Sequence, residues 1–309
     1  MKNIFAFALI LALIFTGCGD NSAAVTSSTS FAVIQDDAGR EVALAEKPAR
    51  IVVTSASFLE PLHRLGANIV GRPDSKNNMP DWAEDISSVG QVYQIDVERL
   101  LACQPDLVIV NKGMNERLLD VLAENKIPAL VTEMKTFDNT THALRTFAQV
   151  TGETAAAEEI IAQMNADIQK TVASIPHEKK CVAILHSTAQ GLSVQLEGSI
   201  AGCIVEMLGW ENVAAGMTPL ENNPDAAPYS METLAAQNPE IIFVTSMGNL
   251  DSIRKNMQET IDSNDAWQAI GAVKNNQLYY LPQNFFLLSP GLNYPEAVEL
   301  VAKLIYPAS

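Results

Sequence analysis

Hydrophobic and polar positions change period repeatedly along this chain. "FAVIQDDAGREVAL" (31–44) alternates apolar and polar residues around a "DDAGR" turn, which predicts a β-hairpin. "RIVVTSAS" (50–57) is an apolar run entering a Ser-rich loop: a buried strand, followed by residues that can cap the next helix. That helix, "FLEPLHRLG", carries Pro61 in its first turn and is stopped by Gly66. "NIVG" (68–71) predicts a short strand, and "DVERLLACQP" (96–105) a helix with Asp96 as N-cap that ends at Pro105. "DLVIVNKG", "NERLLDVLAENKIP", "ALVTE" and "NTTHALRTFAQVTG" continue as strand, helix, strand and helix.

"ETAAAEEIIAQMNADIQKTVASIP" (153–176) breaks this rhythm. Apolar residues recur every three and four positions, no Gly interrupts, and Pro176 closes it. At 1.5 Å per residue such a helix reaches roughly 34 Å, long enough to span a small domain. The earlier plan then restarts. "CVAILHS" is a strand, "SIAGCIVEMLG" a helix stopped by Gly209, and "MTPLENNPDAAPYS" a Pro-containing loop. "METLAAQNPEIIFVTSMG" repeats the order of "DVERLLACQPDLVIVNKG": helix, amide–Pro, acid, apolar strand, Gly loop. "LYYLP" is a last strand and "PGLNYPEAVELVAKLIYP" a closing helix. Strands alternating with helices predict parallel sheets with right-handed crossovers. The fold class is therefore α/β, with two doubly wound parallel-sheet lobes, 31–152 and 177–309, joined by a single long spine helix, 153–176.

The two ends of the chain and its charge refine this picture. "MKNIFAFALILALIFTGC" has one Lys, an apolar run too short to cross a bilayer comfortably, and small residues before Cys18. It predicts a signal segment, 1–17. "FTGC" resembles a bacterial lipobox, with Phe15 where Leu is usual, and implies cleavage before Cys18 and a lipid on its sulfur. "GDNSAAVTSSTS" (19–30) is too small and polar to fold, so 18–30 reads as a flexible tether. A net charge of −16 repels phosphate backbones and disfavours nucleic acid as a partner. The remaining cysteines, Cys103, Cys181 and Cys203, have no metal-ligand spacing and read as small hydrophobes; in an oxidising compartment Cys181 and Cys203 are the pair that could bridge.

No catalytic constellation is present: there is no G-x-S-x-G, H-E-x-x-H, P-loop or dinucleotide fingerprint. His63, His142, His177 and His186 are scattered, which argues against a His-rich metal-ion site; a tethered enzyme on the same scaffold is the other alternative reading. What the pattern does predict is a cleft at the carboxyl ends of the strands. The loops there supply the aromatics Trp82, Tyr93, Tyr229, Phe285 and Phe286, the cations Arg72, Lys76 and Lys112, and His186 at the end of its strand. Such a lining, apolar to mixed, suits a bulky ligand.

Two further segments match each other. "SFLEPLHRLGANIVG" places Glu60, and "IVEMLGWENVAAG" places Glu206, on an apolar helix that stops at Gly. In order, "RIVVTSASFLEPLHRLGANIVG", "SSVGQVYQIDVERLLACQPDLVIV", the 153–176 helix, "IVEMLGWENVA", "YSMETLAAQNPEIIFVTS" and "AVKNNQLYYLP" cover the chain from about residue 31 to its end. The set resembles the class III periplasmic binding proteins of ABC importers, the group for ferric siderophores, haem and cobalamin. The resemblance implies a non-enzymatic, monomeric, lipid-tethered receptor in the cell envelope with no intrinsic cofactor, facing the periplasm or cell exterior. It would capture a metal chelate between two lobes and pass it to a permease with its ATPase subunits. It also implies that Glu60 and Glu206 are surface acids that pair with Arg on the permease. If the ligand is haem, it implies Tyr93 and Met247 as iron contacts. Catecholate siderophores are strongly anionic and call for several Arg or Lys, in which these loops are poor; haem, hydroxamate chelates and cobalamin stay open.

Overall fold

The computed structural model of the chain describes residues 30–75, 79–188 and 191–307. The predicted signal segment, Cys18, most of the tether and Lys76 lie outside the described residues.

The first lobe opens with an antiparallel hairpin, β1 (Ala32–Gln35) and β2 (Glu41–Leu44). It continues as β3 (Ile51–Val53), α1 (Leu59–Arg64), β4 (Ile69–Asp74), β5 (Ser87–Gln91), β6 (Gln94–Ile95), α2 (Val97–Ala102), β7 (Leu107–Asn111), α3 (Leu119–Glu124), β8 (Ala129–Thr132) and α4 (Phe137–Thr151). Its sheet runs β6-β5-β4-β3-β7-β8, parallel except at β6. After α5 (Thr154–Ser174) the second lobe comprises β9 (Cys181–Thr188), β10 (Gly191–Gln195), α6 (Ile200–Met207), β11 (Glu211–Asn212), β12 (Ala226–Pro228), α7 (Met231–Gln237) and β13 (Ile241–Ser246). It ends with α8 (Leu250–Asp262), α9 (Asp265–Ala269), α10 (Gly271–Lys274), β14 (Leu278–Tyr280), α11 (Gln283–Phe286) and α12 (Tyr294–Ile305).

The second sheet is mixed. β9, β13 and β14 are parallel, whereas β10 runs antiparallel to both its neighbours, β9 and β12, in the order β12-β10-β9-β13-β14 with β11 parallel on β9. Of these flanking strands, β10 takes residues to which the sequence pattern assigns no element, and β12 lies where it predicts loop. β12 falls inside the Pro-containing "MTPLENNPDAAPYS" stretch. As an edge strand it tolerates Pro228, whose missing N–H breaks no inner ladder.

The central strands are buried on both faces, and their side chains alternate between two cores, as the period of two requires. In the first lobe Ile51, Val53, Leu107 and Ile109 enter one cluster, and Val52, Val108 and Val110 enter another on the opposite face. In the second lobe Val182, Ile184, Ile241 and Phe243 face one way and Ala183, Leu185, Ile242 and Val244 the other. The inward faces of both lobes belong to a single cluster, stitched together by Ile160, Ile161, Met164 and Ile168 of α5. α5 packs against both α4 and α12, and its 21 residues give a rod of about 31 Å. No helix among the described residues is long and apolar enough to cross a membrane. Cys103, Cys181 and Cys203 are free thiols, so the Cys181–Cys203 bridge is not formed.

Candidate functional site

The strand ends converge on a cleft of about 630 Å³ between the lobes. From the first lobe come Ser55 and Ser57 after β3, Asn111 to Met114 at the end of β7, and Glu133 to Lys135 after β8. The second lobe supplies His186 on β9, Gln195 at the end of β10, Ser199 at the start of α6, the 222–226 loop, and Phe286 to Ser289. Local structure aims these groups. Thr54 Oγ1 accepts the Asn111 N–H at 2.8 Å, tying the end of β3 to the end of β7. Ser199 caps α6 through the Gly202 N–H at 3.0 Å.

His186 lies opposite Thr245 in the β9/β13 ladder. The Thr245 hydroxyl donates to the Leu185 carbonyl at 3.2 Å and meets His186 Nδ1 at 2.9 Å. A hydroxyl has one proton, so with that proton on Leu185 it accepts from Nδ1–H. The Nε2 lone pair is then left as an acceptor or metal ligand. Burial pushes the imidazole below its ordinary pKa of 6.5, which keeps it neutral at neutral pH.

Charge in the cleft is alternating. Glu133 takes Lys112 Nζ on one oxygen at 3.0 Å and Lys135 Nζ on the other at 3.5 Å. Lys135 also pairs with Asp225, which belongs to the opposite lobe. Burial pushes the Glu133 carboxyl up, but its two lysines outweigh this and hold it below the usual carboxylate range. The hydrogen bond to Glu133 in turn raises Lys112. Among the described residues no group of three or more His, Cys, Asp or Glu is placed to hold a metal ion, so the cleft offers one imidazole rather than a cage.

Of the residues singled out in the sequence, Lys112, His186 and Phe286 line this cleft. Tyr93 and Met247 are at strand carboxyl ends, 68% and 52% exposed. The backbone of the Tyr93 turn is held while the phenol is presented to solvent: Arg117 donates to Tyr93 O and Asn115 to Val92 O, both at 2.8 Å. The other four are elsewhere. Arg72 spends its guanidinium on the carbonyls of Ala83 and Glu84 and on Asp74, which pins the loop before β5. Trp82 stacks on His63 at 4.0 Å and donates its indole N–H to Glu60 Oε2 at 3.0 Å. Tyr229 stacks on Trp267 within the outer core of the second lobe, where burial raises its pKa to about 12. Phe285 packs on the shared core. Aromatic content thus drew attention to residues that serve packing. Glu133 and Lys135 stood just after β8 and Asp225 in the loop before β12, and their signal was charge rather than aromatic content.

Glu60 lies in the first turn of α1 and Glu206 in the last turn of α6. Both helices end at a left-handed glycine, Gly66 and Gly209. Each acid borders a concavity. A pocket of about 410 Å³ beside Glu60 is lined by Arg64, Pro80, Asn293 and Glu296, and one of about 340 Å³ beside Glu206 by Glu197, Trp210 and Glu211.

Comparison with known proteins agrees with this architecture. The chain is 25% identical over 320 residues to the Fe(3+)-citrate-binding protein YfmC of Bacillus subtilis (strain 168), covering 98% of this chain and 96% of the relative. It is 24% identical over 259 residues to the high-affinity heme uptake system protein IsdE of Staphylococcus aureus (strain MRSA252), covering 83% and 87%. The fold is similar to the crystal structure of an ABC transporter substrate-binding protein from Listeria monocytogenes EGD-e, with a TM-score of 0.75 at 24% identity over 85% of this chain and all of the other. The sequence profile of the family described as periplasmic binding protein matches residues 51–285, most of the chain, and the chain belongs to that family.

Proposed function

We propose that this chain is the substrate-binding protein of an ABC importer for iron chelates, taking a ferric chelate or haem into the inter-lobe cleft and delivering it to a permease. The observation that carries the reading is the cleft itself. It is roomy, walled by the strand ends of both lobes, mixed in polarity, and holds an imidazole that burial keeps neutral and Thr245 meets at Nδ1. The names of YfmC and IsdE, which refer to ferric citrate and heme, support the same ligand class. Lys112, His186 and Phe286 are the contacts within the cleft, and the presented side chains of Tyr93 and Met247 would meet a ligand bulky enough to reach the rim. For haem, His186, Tyr93 and Met247 are the candidate iron contacts.

Glu60 and Glu206 are proposed as the docking acids, each at a pocket that an Arg side chain of the permease could enter. Trp82 holds the Glu60 carboxylate in one orientation before contact. Cys18 is proposed as the lipid anchor that keeps a monomeric receptor at the outer face of the membrane.

The test has two arms. Purified chain titrated with haemin and with ferric citrate should show a Soret shift or a calorimetric signal for at least one of them, and His186→Ala should weaken it. Silence with both, and with a ferric hydroxamate and a ferric tris-catecholate titrated in the same way, rejects the ligand class. Glu60→Arg combined with Glu206→Arg should leave chelate affinity intact and abolish cellular uptake of the labelled chelate; surviving uptake rejects the docking pair.

A further inference from the structure

The ion pair between Lys135 and Asp225 crosses the cleft, from the end of β8 to the loop before β12. Both side chains line the cleft and are partly exposed, 36% and 22%. Each partner is built in. Tyr294 donates to Lys135 O at 2.9 Å. Asp225 N–H donates to Asn223 Oδ1 at 3.1 Å, and Asp225 O accepts from Leu196 N–H at 2.8 Å. A Cβ on Gly198 would stand 2.8 Å from Asp225 Oδ1, so glycine at that position leaves the carboxylate its seat. With Lys112 and Glu133 the four groups alternate in sign and sum to zero. The cleft therefore holds a lysine ready for a carboxylate and already satisfied by the chain's own acids, Asp225 closest and Glu133 at 3.5 Å.

We propose that Lys135 is the carboxylate anchor of this cleft and that Asp225 is a built-in competitor for it. The cleft would then favour iron chelates carrying a free carboxylate over chelates that have none. A ligand carboxylate replaces Asp225 on Lys135, so the lysine keeps a close partner and the cost falls on the partly exposed Asp225 side chain, which must return to solvent. A ligand without one must leave the Lys135–Asp225 pair in place across the space it needs, or break it and leave Lys135 with only its longer contact to Glu133. Two sources carry the required chemistry: a ferric hydroxycarboxylate such as ferric citrate, and the propionates of haem. This inference rests on the iron-chelate reading above.

Titrations of ferric citrate, haemin, haemin dimethyl ester and a ferric tris-catecholate against the full chain and its variants test it, with circular dichroism to confirm folding. Asp225→Asn should tighten the carboxylate-bearing ligand that the wild type binds by about two- to fivefold. Lys135→Gln should weaken it by about tenfold, and Lys135→Arg should restore most of the loss. Whether ferric citrate or haemin responds identifies the source. The dimethyl ester and the tris-catecholate should show neither effect. Asp225→Asn that leaves or lowers affinity, Lys135→Gln that leaves it unchanged, or an equal response from the ligands lacking carboxylate overturns the anchor alone. A wild-type chain that binds only the tris-catecholate overturns the anchor alone, and one that binds none of the ligands overturns the iron-chelate reading, and the anchor with it.

Discussion

At the scale of single residues, His186 shows how burial and one hydrogen bond prepare a side chain. Thr245 orients the ring, and burial keeps it neutral by lowering its pKa from 6.5. In the unfolded chain the same imidazole takes up a proton around pH 6.5, while in the fold it does so only at lower pH. Between those two values the unfolded state binds more protons, so stability falls as pH drops. The contribution of the neutral ring is complete above 6.5 and is lost as pH falls through the folded value. His186→Gln should therefore have a flatter decline in melting temperature than the wild type between about pH 7 and 5. Equal slopes for the two proteins would contradict the assignment. This side chain was recognisable in the sequence as a strand-end histidine, but its tautomer depends on Thr245, far along the chain, and no local pattern carries that.

At the scale of elements, the repeated plan has a mechanical basis. α2 and α7 begin at side-chain caps, Asp96 and Ser230, and both end at a non-glycine residue in the left-handed region, Gln104 at φ 49° and Asn238 at φ 44°. Pro105 and Pro239 follow and forbid further helix. The next residue, Asp106 or Glu240, does the same job in each lobe: its carboxylate accepts backbone N–H groups at the start of the neighbouring strand. Asp106 takes those of Ala49 and Arg50 at 2.7 and 2.8 Å, and Glu240 that of Cys181 at 3.2 Å. Asp106→Ala should cost about 1–2 kcal/mol in urea unfolding and Glu240→Ala about half as much, since it loses one longer bond. Equal losses would mean that hydrogen bonding is not what these acids contribute. Such units were legible because helix period, Pro and acid lie within one short window. β12 was not, because it is a three-residue edge strand that tolerates the Pro that spells loop, and β10 was not, because its five residues offer only two apolar positions and follow β9 directly in a hairpin.

For the whole molecule the decisive feature is that the two lobes share a core. Parallel sheets and a long helix were predictable from period, but periodicity is silent on which faces meet. The structure places Ile51 and Leu59 of the first lobe, Ile161 and Ile168 of α5, and Ile184 and Val298 of the second in one apolar cluster. Above the spine the lobes are joined again, where Ser57 Oγ donates to Ser289 O at 3.0 Å and Tyr294 packs its ring edge to face with Phe137. The cleft is thus set between bodies whose inner walls are continuous, which limits how far they can swing apart. It also follows that neither lobe can unfold without exposing the inner face of the other, so the described chain should behave as one cooperative unit. The three tryptophans allow a direct measurement, since Trp82 reports on the first lobe and Trp210 and Trp267 on the second. A chain retaining only Trp82 and a chain retaining only Trp267 should give coincident urea midpoints when each is monitored by fluorescence and circular dichroism. Ile161→Ala, removing a side chain that is 5% exposed at the centre of the spine, should lower both by the same amount, about 2–4 kcal/mol. Separate midpoints, or a shift confined to one reporter, would show that the lobes are independent and that α5 links them without coupling them.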